Sequence, residues 1–464
     1  MYVYELPTTS AVSFSELCID QSTDKGYTYC IPEATQARAN LHALLKESKR
    51  TEHGAQDFLA LVKFIEEYLP HLRGVMNCVA HDEIGFRIEP TFCWRSTLSA
   101  NLFNKSQKLA LSGVHADYAF TLLTYAFALS NLSNSTVISL GTYEHDAAIS
   151  DTERKTKEEQ LNVAVGFLCK ASGIFSFISD WVLPEWQVHR AGGPPIRFNR
   201  PPELSREVVT ALARISLADA QTLAIRKLLS KSAYDSNVTP GPPLPTSHPS
   251  PALIAKLHLE CASLYSSARS LAKTPGSSKG LEGQEEVSTD LRKYLADEAA
   301  FHGALSRKWL GVDAGENGGR AKGGEAVEFL RWAKKDLEDL KDSNKGVSLG
   351  KAEKEKKGQK KEKVLNELAK VTVFYKHYKK MNDSLHFQPV PSQNDLQTRI
   401  PTGRLAIAAR PFTPPAPSFG PGSVDSIRKQ AEQMEIVREN SSLRTDEPVP
   451  EPSASSYAGA GDYF

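Results

Sequence analysis

The sequence predicts an all-α protein, a stack of helical pairs with one small strand element near residues 85–93. Three observations point there. Long stretches carry apolar side chains near helical spacing, as Phe58, Leu59, Leu61, Val62, Ile65 and Leu69 do. Clusters of Pro and Gly interrupt these stretches. Strand-like alternation is confined to Arg87-Ile88-Glu89-Pro90-Thr91-Phe92, where Pro90 restricts it to an edge or a bend.

In chain order, residues 33–47 and 55–80 read as an opening helical pair. Residues 105–131 are apolar nearly all round, which predicts a centrally buried helix. Residues 154–182 form another long helix, with Leu161, Val165, Leu168, Ser172 and Phe175 along one side. The stretch Trp181-Val182-Leu183-Pro184-Glu185-Trp186 closes it, and Gly192-Gly193-Pro194-Pro195 breaks the chain. Helix 204–231 ends before a proline-rich surface loop at 238–251, and helix 252–272 ends before Pro275-Gly276-Ser277-Ser278. Helix 286–309 precedes a glycine-rich loop, 315–324. Helix 325–341 leads into a lysine-rich stretch, and a last helix covers 362–381. Such pairs suggest a solenoid-like stack, without a fixed-period repeat. From Pro414 onward Pro, Gly, Ser and Glu dominate, a composition that predicts disorder apart from a transient helix at 423–440.

Composition narrows the function classes. A net charge of +1 over 464 residues gives no global attraction to nucleic acid or membrane. The six cysteines show no paired spacing, so the expected compartment is a reducing cytosol. The N-terminal residues lack the pattern of a signal peptide. The longest apolar run, Ala116–Leu132, carries Asp117 and is short for a bilayer span.

Signals for catalysis are weak. There is no phosphate-binding G-x-x-x-x-G-K-[ST], no G-x-S-x-G and no H-E-x-x-H. The glycines of Gly315-Glu316-Asn317-Gly318-Gly319 lie between helices rather than after a strand. His81-Asp82-Glu83 has no second histidine cluster to complete a metal site. Cys93 has no neighbouring group to activate its thiol. No catalytic residue, metal ligand or cofactor is expected.

A series of motifs carries a family resemblance. Phe92-Cys93-Trp94-Arg95-Ser96 is followed by Lys108-Leu109-Ala110-Leu111-Ser112-Gly113, then by Ala171-Ser172-Gly173-Ile174-Phe175, Leu217-Ala218-Asp219-Ala220-Gln221 and Leu253-Ile254-Ala255-Lys256-Leu257. In order and spacing these resemble the Bro domain, the helical module of Alix and of fungal pH-signalling proteins. The resemblance implies an elongated, boomerang-shaped domain over residues 1–412. It would have a TPR-like helical hairpin at 294–340 and an extended C-terminal strap at 382–412, with a disordered tail at 413–464. The Trp181–Trp186 stretch, Phe419-Gly420-Pro421-Gly422-Ser423 and the chain length resemble a fungal pH-response subgroup of that family.

The family is not catalytic. It implies an adaptor that binds the C-terminal amphipathic helix of an ESCRT-III (Snf-seven-type) subunit in an apolar groove. The implied setting is cytoplasmic, with recruitment to the plasma or endosomal membrane. There the adaptor would meet a receptor/arrestin complex that senses alkaline pH, upstream of proteolytic activation of a transcription factor. Another helical scaffold, rhophilin-like or TPR-type and binding a peptide tail, is the competing class.

Carried over residue by residue, the groove aliphatics fall on Leu253 and Leu257, which share a helix face at i, i+4. The groove phenylalanine of the family falls on Ala224, and neighbouring Ile225 is the candidate replacement. An acidic groove residue falls on Glu158, where the alternative is a charge suited to a helix start. Leu257 also adjoins the stripe Ile254, Cys261 and Leu264, so a core position is its alternative. The run Lys354, Lys356, Lys357, Lys360 and Lys361, flanked by Lys351 and Lys363, reads either as a solvated helix extension or as an anchor to an anionic leaflet.

Overall fold

A computed structural model describes residues 1–51, 56–99, 108–146, 148–191, 201–236, 241–273, 287–343 and 351–443, with the side chains of 189–191, 351–357 and 437–443 left aside. The breaks expected at Gly192–Pro195 and Pro275–Ser278, and the tail beyond 443, lie outside these residues.

The N-terminal part opens with α1 (Phe14–Leu17) and β1 (Cys18–Asp20), then the pair α2 (Cys30–Ser48) and α3 (Phe58–Ala80). Two antiparallel ladders follow. β1 pairs with β2 (Ile84–Phe86), and β3 (Thr91–Arg95) pairs with β4 (Lys108–Ser112). The expected strand at 87–92 is thus displaced, because Arg87–Pro90 joins β2 to β3. The helix expected from residue 105 also starts later. Leu109 and Leu111 are buried while Lys108 and Ala110 are exposed, a strand alternation. Gly113 then turns the chain at φ +87°, a conformation glycine adopts freely.

Helix α4 (Val114–Leu140) is buried on all sides through Asn131, as its composition predicts. At its start Asp117, fully buried, accepts four hydrogen bonds. They come from Arg38 Nε (3.2 Å), Arg38 Nη2 (2.9 Å), Tyr68 Oη (2.6 Å) and Trp94 Nε1 (2.8 Å). One carboxylate therefore ties α2, α3 and β3 to the central helix. Glu203 does similar work nearby, accepting Ser96 Oγ (2.9 Å) and the amides of Thr97 (2.6 Å) and Leu98 (2.8 Å).

The remaining helices stack side by side. α5 (Asp151–Phe177) continues through a π-turn at Ile178–Val182 into α6 (Leu183–Ala191). Pro184 does not close the helix: it directly follows the π-turn, where the Leu183 amide bonds back to the Ile178 carbonyl and the widened pattern accommodates a proline. α7 (Arg206–Ser236) packs on α5, and α8 (Pro251–Lys273), α9 (Thr289–Asn317), α10 (Gly323–Ser343) and α11 (Lys351–Met381) follow, each packed on the one before. α5 with α6, and α7, are long and apolar enough to cross a bilayer, but their apolar faces are largely buried within the stack.

α9 runs through part of the expected glycine-rich loop. Its glycines serve close packing: a Cβ on Gly311 would lie 2.7 Å from Leu330 Cγ, and one on Gly315 2.5 Å from the Tyr378 ring. The lysine-rich stretch forms the first turns of α11.

Beyond α11 the chain makes a π-turn at Asn382–His386 and a short helix α12 (Gln393–Gln397), then runs extended as the strap. It remains packed past residue 412, where disorder was expected. Phe419 is buried against Gly74 of α3, the Ser418 amide donates to the Pro70 carbonyl (3.1 Å), and Asn77 Nδ2 donates to the Pro421 carbonyl (3.0 Å). The Pro/Gly composition that suggested disorder here shapes a clamp. α13 (Val424–Leu443) extends from it with nearly all of its described side chains exposed.

Candidate functional site

The strap crosses three helices, and each crossing uses a residue from the sequence motifs. At α8 the Arg404 amide donates to the Lys256 carbonyl (3.0 Å). At α7 the Gln221 side chain donates to the Arg404 carbonyl (3.2 Å) and accepts the Ala406 amide (2.9 Å). At α5 the Arg410 amide donates to the Cys169 carbonyl (3.0 Å). Gly173 makes this approach feasible, since a Cβ there would lie 1.7 Å from the Arg410 carbonyl oxygen.

The same motifs lock the helices together. Ser172 Oγ donates to the Ala213 carbonyl (2.9 Å), and Gln221 Nε2 to the Leu257 carbonyl (2.9 Å). Asp219 accepts Tyr265 Oη (2.5 Å) and Tyr294 Oη (2.7 Å), joining α7 to α8 and α9. Burial raises the Asp219 carboxyl above its ordinary range, against the opposing effect of these two hydrogen bonds.

These registers are antiparallel for α5/α7 and α7/α8. They bring one stretch of each helix level on one side of the strap: α5 around Glu158, α7 around Leu228 and α8 around Leu253. Tyr143 marks the junction. It packs in a buried cluster with Leu161 of α5 and Leu223 of α7, and the Arg226 guanidinium lies 5.3 Å from its ring centre.

Leu253 is partly exposed, packed at the edge of the core. Ile225 and Leu257 do not reach the surface: each is 3% exposed. On α7 it is Ala224 and Leu228 that face outward, and Leu228 is 42% exposed. Ile225 therefore does not stand in for the missing phenylalanine; Leu228, one turn beyond Ala224, supplies the exposed apolar group. Sequence reasoning missed it, although the i, i+4 spacing from Ala224 was available. The strap adds Leu405, also 42% exposed, between the two residues that Gln221 clamps.

Glu158 is mostly covered and bonded to Arg154, which also binds Asp151. Its charge is already balanced within its own helix.

The basic run divides. Lys360 is drawn onto Asp297 of α9, and Lys363 onto Glu298 at 3.1 Å. Lys361 is exposed. The side chains of Lys351, Lys354, Lys356 and Lys357 lie outside the described residues. The described part thus serves mainly to fasten α11 to α9.

His81 caps α3 through the Asn77 carbonyl (2.8 Å), and Glu83 accepts Tyr27 Oη (2.6 Å). Among the described residues there is no group of three His, Cys, Asp or Glu arranged for a metal ion.

Residues 19–432 match the BRO1-like domain. This chain belongs to the BRO1-like family. Its relatives include the pH-response regulator protein palC of Cryptococcus neoformans, 37% identical over 100% of this chain and 99% of that protein. The protein of the same name from Yarrowia lipolytica is 25% identical, over 89% of this chain and 94% of that one. Among solved structures, a complex of the ALIX BRO1 domain with CHMP4C aligns with TM-score 0.56 at 18% identity, over 89% of this chain and 96% of that chain. ALIX in complex with a viral late-domain peptide aligns with TM-score 0.59 at 17% identity, over 96% of this chain and 56% of that chain. These likenesses establish the helical BRO1-like fold. The motifs that carry the family resemblance are, in this chain, the residues that join helices and strap.

Proposed function

We propose that this BRO1-like protein is a non-catalytic adaptor whose α5–α7–α8 shelf receives the C-terminal amphipathic helix of an ESCRT-III subunit. The observation that carries this is the alignment of exposed Leu228, partly exposed Leu253 and mostly covered Glu158 on one side of the strap. A shallow apolar surface between helices suits a helix-in-groove mode, in which the ligand presents i, i+3, i+4 apolar anchors. Kinship with the palC regulators supports a role in ambient pH signalling. There the protein would be a cytoplasmic factor that links ESCRT-III to a pH-sensing complex at the plasma membrane, upstream of proteolytic activation of a transcription factor.

The test is a pulldown of the full chain with C-terminal helix peptides of ESCRT-III subunits. Capture of a Snf-seven-type helix, lost on Leu228→Asp with melting unchanged, supports the proposal. Retention of the helix by that variant removes the shelf from it.

A further inference from the structure

The turn that ends α11 is strained in its backbone and presents apolar side chains to solvent. Phe387 has φ +49°, in the left-handed region, where a bulky side chain is an outlier. Buried Asn382 holds it there. The Phe387 amide donates to the Asn382 carbonyl (2.7 Å), the Gln388 amide to Asn382 Oδ1 (3.1 Å), and Asn382 Nδ2 to the Gln388 carbonyl (3.0 Å). Two glycines of α10 make room: a Cβ on Gly323 would lie 2.6 Å from Asn382 Oδ1, and one on Gly324 2.1 Å from the Pro389 carbonyl oxygen. Strain that its surroundings over-determine in this way points to function.

The outcome of this scaffolding is display. Phe387 is 73% exposed and Leu385 60%. They stand on a turn, and exposed cations lie on the elements that adjoin it. Arg320 and Lys322 are exposed on the turn just before Gly323, which abuts His386. Lys376 and Lys380 are exposed on the last turns of α11. None of these four has an ion-pair partner among the described residues. The neighbouring acids are engaged: Asp383 with Lys379 (2.7 Å), Glu325 with Arg399, Glu316 with Tyr378 Oη, and Asp313 with Asn317 Nδ2 (2.8 Å).

We propose that this turn docks on an anionic membrane surface. Leu385 and Phe387 enter the headgroup layer, and Arg320, Lys322, Lys376 and Lys380 face the lipid charges. Exposed apolar groups beside unpaired cations on adjoining elements match such an interface, where apolar burial and attraction to anionic lipid add. A protein helix, by contrast, needs a groove along which to lie. The site is separate from the α5–α7–α8 shelf and does not rest on it. It also differs from the lysine run at the other end of α11, whose Lys360 and Lys363 are bound to α9.

The experiment is cosedimentation of the full chain with phosphatidylcholine vesicles, with and without phosphatidylserine. The expected result is binding that requires phosphatidylserine and weakens with salt. Glycine adopts φ +49° without strain, so Phe387→Gly should melt at the same or a higher temperature while vesicle binding falls about tenfold. Arg320→Glu combined with Lys380→Glu should lower it by about tenfold or more. No binding by the unmodified protein, equal binding to both kinds of vesicle, or undiminished binding by Phe387→Gly combined with Leu385→Ser overturns the proposal. Loss of a protein partner in Phe387→Gly with vesicle binding intact would assign the turn to a protein interface and overturn it equally. Binding of an ESCRT-III helix peptide should be unaffected by Phe387→Gly, which keeps this test apart from that of the shelf.

Discussion

Gln221 holds Ala406 by a hydrogen bond of 2.9 Å from the Ala406 amide to Gln221 Oε1, between residues far apart in the chain. With its Nε2 donating to the carbonyls of Arg404 and Leu257, this buried amide fastens strap, α7 and α8 at one point. Gln221→Ala leaves those groups without their partner. The expected cost is about 2–3 kcal/mol, since each lost buried hydrogen bond removes about 1 kcal/mol and an orphaned group adds to it. Denaturant unfolding measures the loss, and hydrogen exchange should show earliest opening of the amides of Arg404 and Ala406.

The Arg38–Asp117 pair is the second fixed point. Asp117→Ala leaves a buried guanidinium uncompensated and removes the acceptor of Tyr68 and Trp94. A loss of about 3–5 kcal/mol is expected.

The clamp beyond residue 412 makes a prediction about truncation. Phe419→Ala should cost about 3 kcal/mol. Gly74→Ala should also destabilise, because the new Cβ would lie 2.7 Å from the Phe419 ring. The two changes should be strongly non-additive, since removing the ring removes the clash. A chain ending at residue 423 should melt like the full chain, and one ending at 412 should melt lower.

A buried histidine pair predicts how stability depends on pH. His258 Nδ1 and His302 Nδ1 lie 2.9 Å apart, so one ring must accept and cannot be protonated there. Burial lowers His258 well below its ordinary range. It also brings His302 down to about 3, despite Glu298 beside it. Folded values below the unfolded one mean that stability is complete above about pH 6.5 and is lost as the pH falls below it. Glu298 adds to this at lower pH. Burial would raise it, but Lys363 holds it at about 2, so its contribution disappears between about pH 4.5 and 2. The unfolding midpoint should drop from pH 7 to pH 5, and His302→Gln should flatten that drop.

Much of the fold was legible because α3, with one buried face, shows helical periodicity, and α4, buried all round, shows as one long apolar run. The misses have local causes. The β3–β4 ladder was hidden because Leu109 and Leu111 merge into the apolar run of α4, and only Gly113 separates them. Gly315 was read as a loop residue, yet with Gly311 it lets α10 and α11 approach α9, which depends on partners distant in sequence. The same holds for the stretch at 413–423, whose order depends on Gly74. At the proposed shelf, the residues carried over by resemblance lie on α5, α7 and α8, but resemblance did not say which side of each helix faces out. Ile225 and Leu257 point inward and Leu228 outward, a difference set by how α7 and α8 are rotated against their neighbours.

The central claim is that the shelf beside the strap binds an amphipathic helix. It is tested most directly by titrating folded Leu253→Asp protein with the C-terminal helix peptide of an ESCRT-III subunit, beside the unmodified chain. A carboxylate at this edge would be desolvated by an apolar ligand face, so the affinity should fall by about a hundredfold or more with the melting temperature unchanged. Undiminished affinity in that titration would contradict the account and place the binding surface elsewhere on the molecule.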